Sequence, residues 1–174
     1  MKNNLFIKVS VALLFCAVFS VAVNAQNTFN KGDKVFQAGI GLGSTYYYSS
    51  MIPLSASFEV GIKDNLFDDK SSIGVGGYFG FASGKGLTIL CPVVRGALHY
   101  QFVDKLDTYA GLGLGLRFYS WKDSYWGYYG SSSGTHLILP FIAGARYYFS
   151  DNLAAFGELG YEIAYLTVGI SLKF

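Results

Sequence analysis

The sequence predicts an all-β fold, an eight-stranded antiparallel up-and-down transmembrane β-barrel preceded by a cleavable signal peptide. Three observations lead there. The last nine residues, Leu166 to Phe174, alternate large apolar with small or polar side chains and end on an aromatic carboxylate. The N-terminus has a basic start, an apolar run from Val9 to Val23 and the small-residue site Val23-Asn24-Ala25, the layout of a secretory signal. Apolar residues make up 52% of the chain, with 14 Tyr, 15 Phe and 22 Gly. That composition suits a barrel with lipid outside and aromatic girdles at its rims.

Residues 1–25 are expected to be removed. The run is interrupted by Ser10 and Ser20 and ends in a cleavage motif, unlike a spanning helix of about 20 apolar residues. Phe15 before Cys16 speaks against a lipoprotein anchor. Of the 13 basic residues, Lys2 and Lys8 go with the signal, leaving 11 against 11 acidic ones. A mature chain of zero formal charge has no basic excess for nucleic acid. Cys91 is then the only cysteine, expected inside the barrel without a disulfide. Residues 26–34 form a short N-terminal periplasmic segment and 35–174 the barrel, a length that suits one domain.

Eight alternating segments follow: 35–43, 54–63, 72–82, 89–102, 108–119, 136–149, 154–163 and 166–174. Side chains on a strand point to opposite faces in turn. One parity collects Phe36, Ile40, Leu54, Phe58, Val75, Phe79, Val94, Leu98, Leu112, Leu116, Leu137, Phe141, Leu159, Tyr161, Ile163, Ile170 and Phe174, and carries no charge. A Lys or Arg facing the bilayer midplane costs roughly 2–4 kcal/mol, so this parity is assigned to lipid. Glu59, Lys63, Arg95, Arg117, Arg146, Glu158, Glu162 and Lys173 fall on the other parity with most strand glycines. A soluble sandwich would scatter surface charge where this chain has glycine.

The even strand number places both termini in the periplasm. Asp64-Asn65, Asp104-Lys105 and Asp151-Asn152 read as periplasmic turns. Segments 44–53, 83–88 and 120–135 and the tight 164–165 link read as outer connections. Pro92 and Pro140 are expected near outer strand ends or at bulges, because proline cannot donate to a ladder.

With Pro92-Val-Val-Arg-Gly-Ala-Leu-His-Tyr-Gln-Phe102, Tyr109-Ala-Gly-Leu-Gly-Leu-Gly115 followed by Leu116, and Phe156-Gly-Glu-Leu-Gly-Tyr161, the chain resembles a known superfamily. It is that of the eight-stranded outer-membrane barrels, including the transmembrane domain of outer membrane protein A and outer membrane protein X. Within it, the chain is most similar to the Bacteroidetes-type "outer membrane protein beta-barrel domain" proteins. The resemblance implies residence in a Gram-negative outer membrane, contact with its lipid and lipopolysaccharide, and folding by the barrel assembly machinery. Ile170, Leu172 and Phe174 match the terminal signal which that machinery recognises. A peptidoglycan-binding domain like that of outer membrane protein A is absent from the sequence, which speaks against a tether to the cell wall.

Glu59, Arg95, Arg117, Arg146, Glu158 and Glu162 are expected to form an interior ion-pair network, since buried charges need partners. The barrel is expected to be a monomer with a filled lumen, no cofactor and no metal, acting structurally or in adhesion through its outer loops. Tyr125, Trp126, Tyr128 and Tyr129 are the candidate contacts for an extracellular ligand. Tyr46 to Tyr48 and Trp121 are assigned to the interfacial girdle. Two alternatives stand beside this one. His136, near Ser131 to Ser133 and Asp123, offers the groups of an acyl-ester enzyme acting on lipid A. A narrow channel or secretion accessory is the other. His99 is expected inward, near the periplasmic end.

Overall fold

The computed structural model describes residues 28–44, 51–84, 86–125 and 128–174. The predicted signal peptide, Tyr46 to Tyr48 and Trp126 lie outside these residues. Nine strands follow in order: β1 Lys34–Ser44, β2 Leu54–Asp64, β3 Ser71–Gly84, β4 Leu87–Val103, β5 Leu106–Tyr125, β6 Tyr128–Ile138, β7 Phe141–Tyr148, β8 Leu153–Gly160 and β9 Ala164–Lys173. All pairings are antiparallel; β1 pairs with β9 and β4 with β5, so the sheet closes on itself.

The wall has eight strands because β6 and β7 are two halves of one. Both pair with β5, β7 along Leu106–Leu112 and β6 along Gly115–Tyr125. Between them Pro140 has no N–H to give, and its carbonyl instead accepts from the Gly113 N–H at 2.8 Å. The single strand expected over 136–149 is thus broken in its middle, and Pro140 lies at that break rather than at an outer end. Pro92 departs from expectation too. It sits inside the 17-residue β4, opposite Phe79, where the pairing of β4 with β5 is interrupted between Leu90–Phe118 and Val93–Gly115, so the N–H that proline lacks is not called on.

Register fixes the barrel's shape. From Ile40, paired residues run one way through Leu54, Phe81 and Leu90 to Phe118, and the other way through Val168, Gly157 and Ala145 to Thr108. The two paths reach β5 ten residues apart, a stagger that tilts the strands by about 35–45°. Eight strands at that tilt leave room inside for side chains and little else.

The lipid parity holds along the strands: Val94, Leu112, Leu137, Leu139 and Leu159 are 60–76% exposed. Phe102, Phe149 and Phe174 ring the end that carries the termini, and Tyr161 and Tyr165 stand exposed toward the other end. Two assigned positions are wrong. Ile163, placed on the lipid face, is 1% exposed, because β8 stops at Gly160 and the 161–163 turn resets the parity. Lys63, placed inside, is exposed and pairs with Ile73, because a bulge between Gly61 and Lys63 inserts one extra residue.

At the end away from the termini, two expected connections are largely strand, and the tight link expected at 164–165 falls instead at 161–163, because Ala164 and Tyr165 already belong to β9. Within segment 120–135, residues 120–125 and 128–135 are strand, and strand occupies both flanks of 83–88. The lumen has two halves. Toward the long hairpin, Met51, Tyr78, Ala82, Leu87, Ile89, Cys91, Val93, Ile138, Ile163 and Ala164 make an apolar cluster, with Tyr119 and Trp121 packed against it. Trp121, expected in the interfacial girdle, belongs to the lumen instead, because it shares the parity of Arg117 and pairs with the buried Leu87. Toward the termini the filling is charged.

Candidate functional site: the charged half of the lumen

Each charged side chain enters the lumen from a lumen-facing position on its strand or, for Glu162, from the 161–163 turn. Arg146 on β7 is fully buried and forms an ion pair with Glu59 of β2. Its other terminal nitrogen lies 3.2 Å from Asp107 of β5. Arg95 on β4 lies 3.0 Å from Glu158 of β8 and 3.6 Å from Glu162. Gln37 joins the two groups: its side-chain oxygen accepts from Arg95 at 3.3 Å, Arg146 at 3.4 Å and Ser57 at 3.0 Å. Its amide donates to Ser171 at 3.2 Å. Ser57 also accepts from Arg95 at 2.9 Å, and Tyr109 donates to Glu158 at 2.7 Å.

His99 sits between two carboxylates. Its Nε2 is 2.9 Å from Glu59 and its Nδ1 2.9 Å from Asp107. A neutral imidazole has one N–H; only the imidazolium donates at both nitrogens. In that form the two carboxylates of Glu59 and Asp107 meet the two cations Arg146 and His99. Such balance is what a buried charged cluster requires, since an uncompensated charge there is strongly destabilising.

Arg117 takes a different role from the rest of the expected network. It is buried on β5 and donates to the backbone carbonyls of Tyr161, at 3.3 Å, and Glu162. It thereby ties the 161–163 turn to the wall, and its guanidinium lies 5.5 Å from the Tyr161 ring centroid. Cys91 is buried and free, in the apolar half.

Sequence reasoning passed over Gln37, Ser57, Asp107, Tyr109 and Ser171 as network members. Asp107 lay just outside the strand expected to start at 108, although its parity with Tyr109 would have placed it inside. Also missed was Phe29. Residues 28–33 fold into the mouth at the terminal end, and the Phe29 ring lies 4.2 Å from His99 and 5.6 Å from the Arg146 guanidinium, centre to centre.

The outer groups are arranged differently from an esterase. His136 is exposed on β6, opposite Arg117, and stacks on Tyr119 at 5.4 Å. Ser133 is three residues away and so on the opposite strand face; Ser132, on the same face, is four residues away, roughly 13 Å along a strand. Asp123 pairs six positions further along β5 than Arg117 does. These positions do not bring a serine, the histidine and a carboxylate together. Tyr125, Tyr128 and Tyr129 lie at the hairpin tip, where Tyr125 pairs with Tyr128 and Ser124 with Tyr129. Ile170, Leu172 and Phe174 are exposed on the outside of the seam with β1.

No family model and no curated protein matches the chain. Solved structures do. A de novo designed transmembrane β-barrel is 15% identical over 86% of this chain and 100% of that one, with a TM-score of 0.53. The N-terminal β-barrel domain of Pseudomonas aeruginosa OprF is 15% identical over 83% and 98%, with a TM-score of 0.54. Ail, the attachment invasion locus protein of Yersinia pestis, is 13% identical over 83% and 99%, with a TM-score of 0.52. The chain therefore has the fold of the small outer-membrane β-barrels, a ring of eight antiparallel up-and-down strands.

Proposed function

We propose that this chain is a monomeric bacterial outer-membrane barrel with a sealed lumen, exported through the periplasm, whose working part is the projecting β5–β6 hairpin. One observation carries the reading. From the Gly115–Ile138 pair the hairpin continues for ten residue pairs to Tyr125–Tyr128, on the order of 33 Å of strand. Along this length β6 pairs only with β5 among the described residues and ends the order of the sheet.

An unpaired strand edge is a row of free N–H and C=O groups, and edges that must stay solitary carry lysine, proline or bulges. Tyr128–Ile138 has no lysine and no proline. Ser132, Ser133, Thr135 and His136 are all exposed, so small polar side chains leave the backbone accessible. The chemistry suits an extended polypeptide added as a further strand, with the tip tyrosines as side-chain contacts. An attachment role of this kind is consistent with the name of Ail. Lipid and lipopolysaccharide would surround the apolar belt, and Ile170, Leu172 and Phe174 would serve the assembly machinery.

The test compares cells carrying the full chain with cells carrying a barrel in which a two-residue Asn-Gly turn joins the paired residues Phe118 and Thr135. Both barrels should shift mobility between unboiled and boiled gel samples. Attachment to protein-coated beads should fall to background in the shortened form. Equal attachment by the two would overturn the reading. Lipid A of unchanged mass in His136→Ala relative to the full chain is expected; a changed mass would restore the enzymatic alternative.

A further inference from the structure

The segment Thr28–Asp33 has no partner role in an up-and-down barrel, yet it is tied into the wall at many points. The Thr28 N–H donates to the Gln101 side chain at 2.8 Å and the Ser72 hydroxyl to the Phe29 carbonyl at 2.9 Å. Gly32 N–H donates to Gly61 O at 2.8 Å, and Gly61 N–H to Asp33 O at 2.9 Å. Lys173 reaches the Thr28 carbonyl at 3.3 Å and Asp33 at 3.9 Å. Gly61 makes the close approach possible: a Cβ there would stand 2.0 Å from the Asn30 carbonyl oxygen. Thr28 and Phe29 are 7% and 3% exposed.

What holds the segment innermost is one ring packed on His99 and Arg146. Phe29 packs on His99 and on Arg146, and the Tyr109 ring lies 5.4 Å from His99 and 4.6 Å from Arg146. Cation–π attraction strengthens when the groups are desolvated, as all four are here.

We propose that Thr28–Asp33 is a latch over the terminal mouth of the barrel, seated by Phe29 on a charged platform and released when His99 loses its proton. The groups that face His99 set the direction. Glu59 from β2 and Asp107 from β5 each accept one of its N–H groups, Tyr109 from β5 and Phe29 present rings, and Arg146 from β7 shares both carboxylates. Loss of the proton leaves two carboxylates with Arg146 alone between them, sets an imidazole lone pair against a carboxylate and removes one of the two cations under Phe29. The charged form is the docked form, so docking holds at low pH and is lost as pH rises. Release uncovers the His99, Arg146, Glu59 and Asp107 platform without breaking the barrel wall.

The experiment uses the full chain with Cys91→Ser and Thr28→Cys, folded in detergent. The rate of maleimide labelling is divided by that of a reference carrying the exposed Asp151→Cys at the same pH, and the same ratio in His99→Gln, where the thiol keeps its buried surroundings, separates latch release from the ionisation of the thiol itself. The Thr28→Cys site should react roughly tenfold slower than the reference at about pH 6, with the ratio closing toward one by about pH 9. Phe29→Ala should bring the ratio to one at every pH, and His99→Gln should remove the pH dependence. All variants are scored only if they keep the heat-dependent gel shift, which reads the wall and not the latch. A ratio near one at low pH, a ratio that does not change with pH, or protection that survives Phe29→Ala would overturn the proposal.

Discussion

Removing one partner of a buried ion pair costs about 3–5 kcal/mol, because the other charge stays behind without compensation. Arg146 is the residue where this applies most directly. It is 0% exposed and serves both Glu59 and Asp107. Arg146→Ala is expected to destabilise the barrel by that amount in urea titrations in detergent, and Arg146→Lys to recover part of it. Asp68, in the turn between β2 and β3, makes a separate residue-scale case. The Tyr100 hydroxyl donates to it at 2.9 Å and holds its carboxyl below the usual range, with the Lys70 N–H helping. A depressed carboxyl stabilises the fold above its unfolded value and loses that contribution as pH falls through the folded value. Tyr100→Phe should therefore move the Asp68 titration, followed by NMR, back up toward an ordinary aspartate; an unchanged midpoint would refute the assignment. Which side of the wall the charges occupy was legible from parity alone at Glu59, Arg95, Arg146 and Glu158. Their pairing was not, because partners come from strands whose register the sequence does not state. Gln37 and Phe29 carried no signal of charge at all.

At the scale of elements, legibility followed the solvent. Where one face meets lipid, alternation is enforced, and strands such as Leu87–Val103 could be found to within two residues. The upper half of the β5–β6 hairpin pairs with no third strand among the described residues, and there Tyr, Ser and Gly replace the period-two signal, so the sequence reads as a loop. The break at Pro140 and the bulge before Lys63 were hidden for another reason, since each is a local response to pairing. The seam between β1 and β9 offers a sharper test of how tightly the wall is drawn. Gly39 pairs with Gly169, and a Cβ on Gly169 would stand 2.0 Å from the Ala38 carbonyl oxygen and 2.8 Å from Phe156. Backbone cannot yield as a flexible side chain does, so Gly169→Ala should cost about 1–3 kcal/mol. The temperature at which unboiled samples lose their fast-migrating band should fall accordingly, while the same substitution at Gly157, which has open space around its Cβ position, should leave it in place.

For the whole molecule, the proposed sealed lumen makes its two halves two seals in series. The charged half fills its cross-section with side chains bonded across the barrel, from Gln37, Ser57, Arg95 and Glu158 to Arg146, with Phe29 beneath. The apolar half, built around Leu87, Ile89, Val93 and Ile163, offers an ion nothing in place of its hydration shell, which is how hydrophobic constrictions block conduction. On that proposal either seal is sufficient, and the failure of one leaves the other. The expected result in planar bilayers is that the wild-type protein gives no conductance above background. Arg95→Ala alone, which removes the side chain bonded to Glu158, Gln37 and Ser57 across the lumen, should stay silent, because the apolar half is untouched. Leu87→Ser with Ile89→Ser should also stay silent, because the ion-paired half still spans the lumen. Only the combination of all three substitutions should pass current. Conductance by the wild-type barrel would show that the lumen is not sealed, and conductance by either partial set would show that the two halves do not close independently.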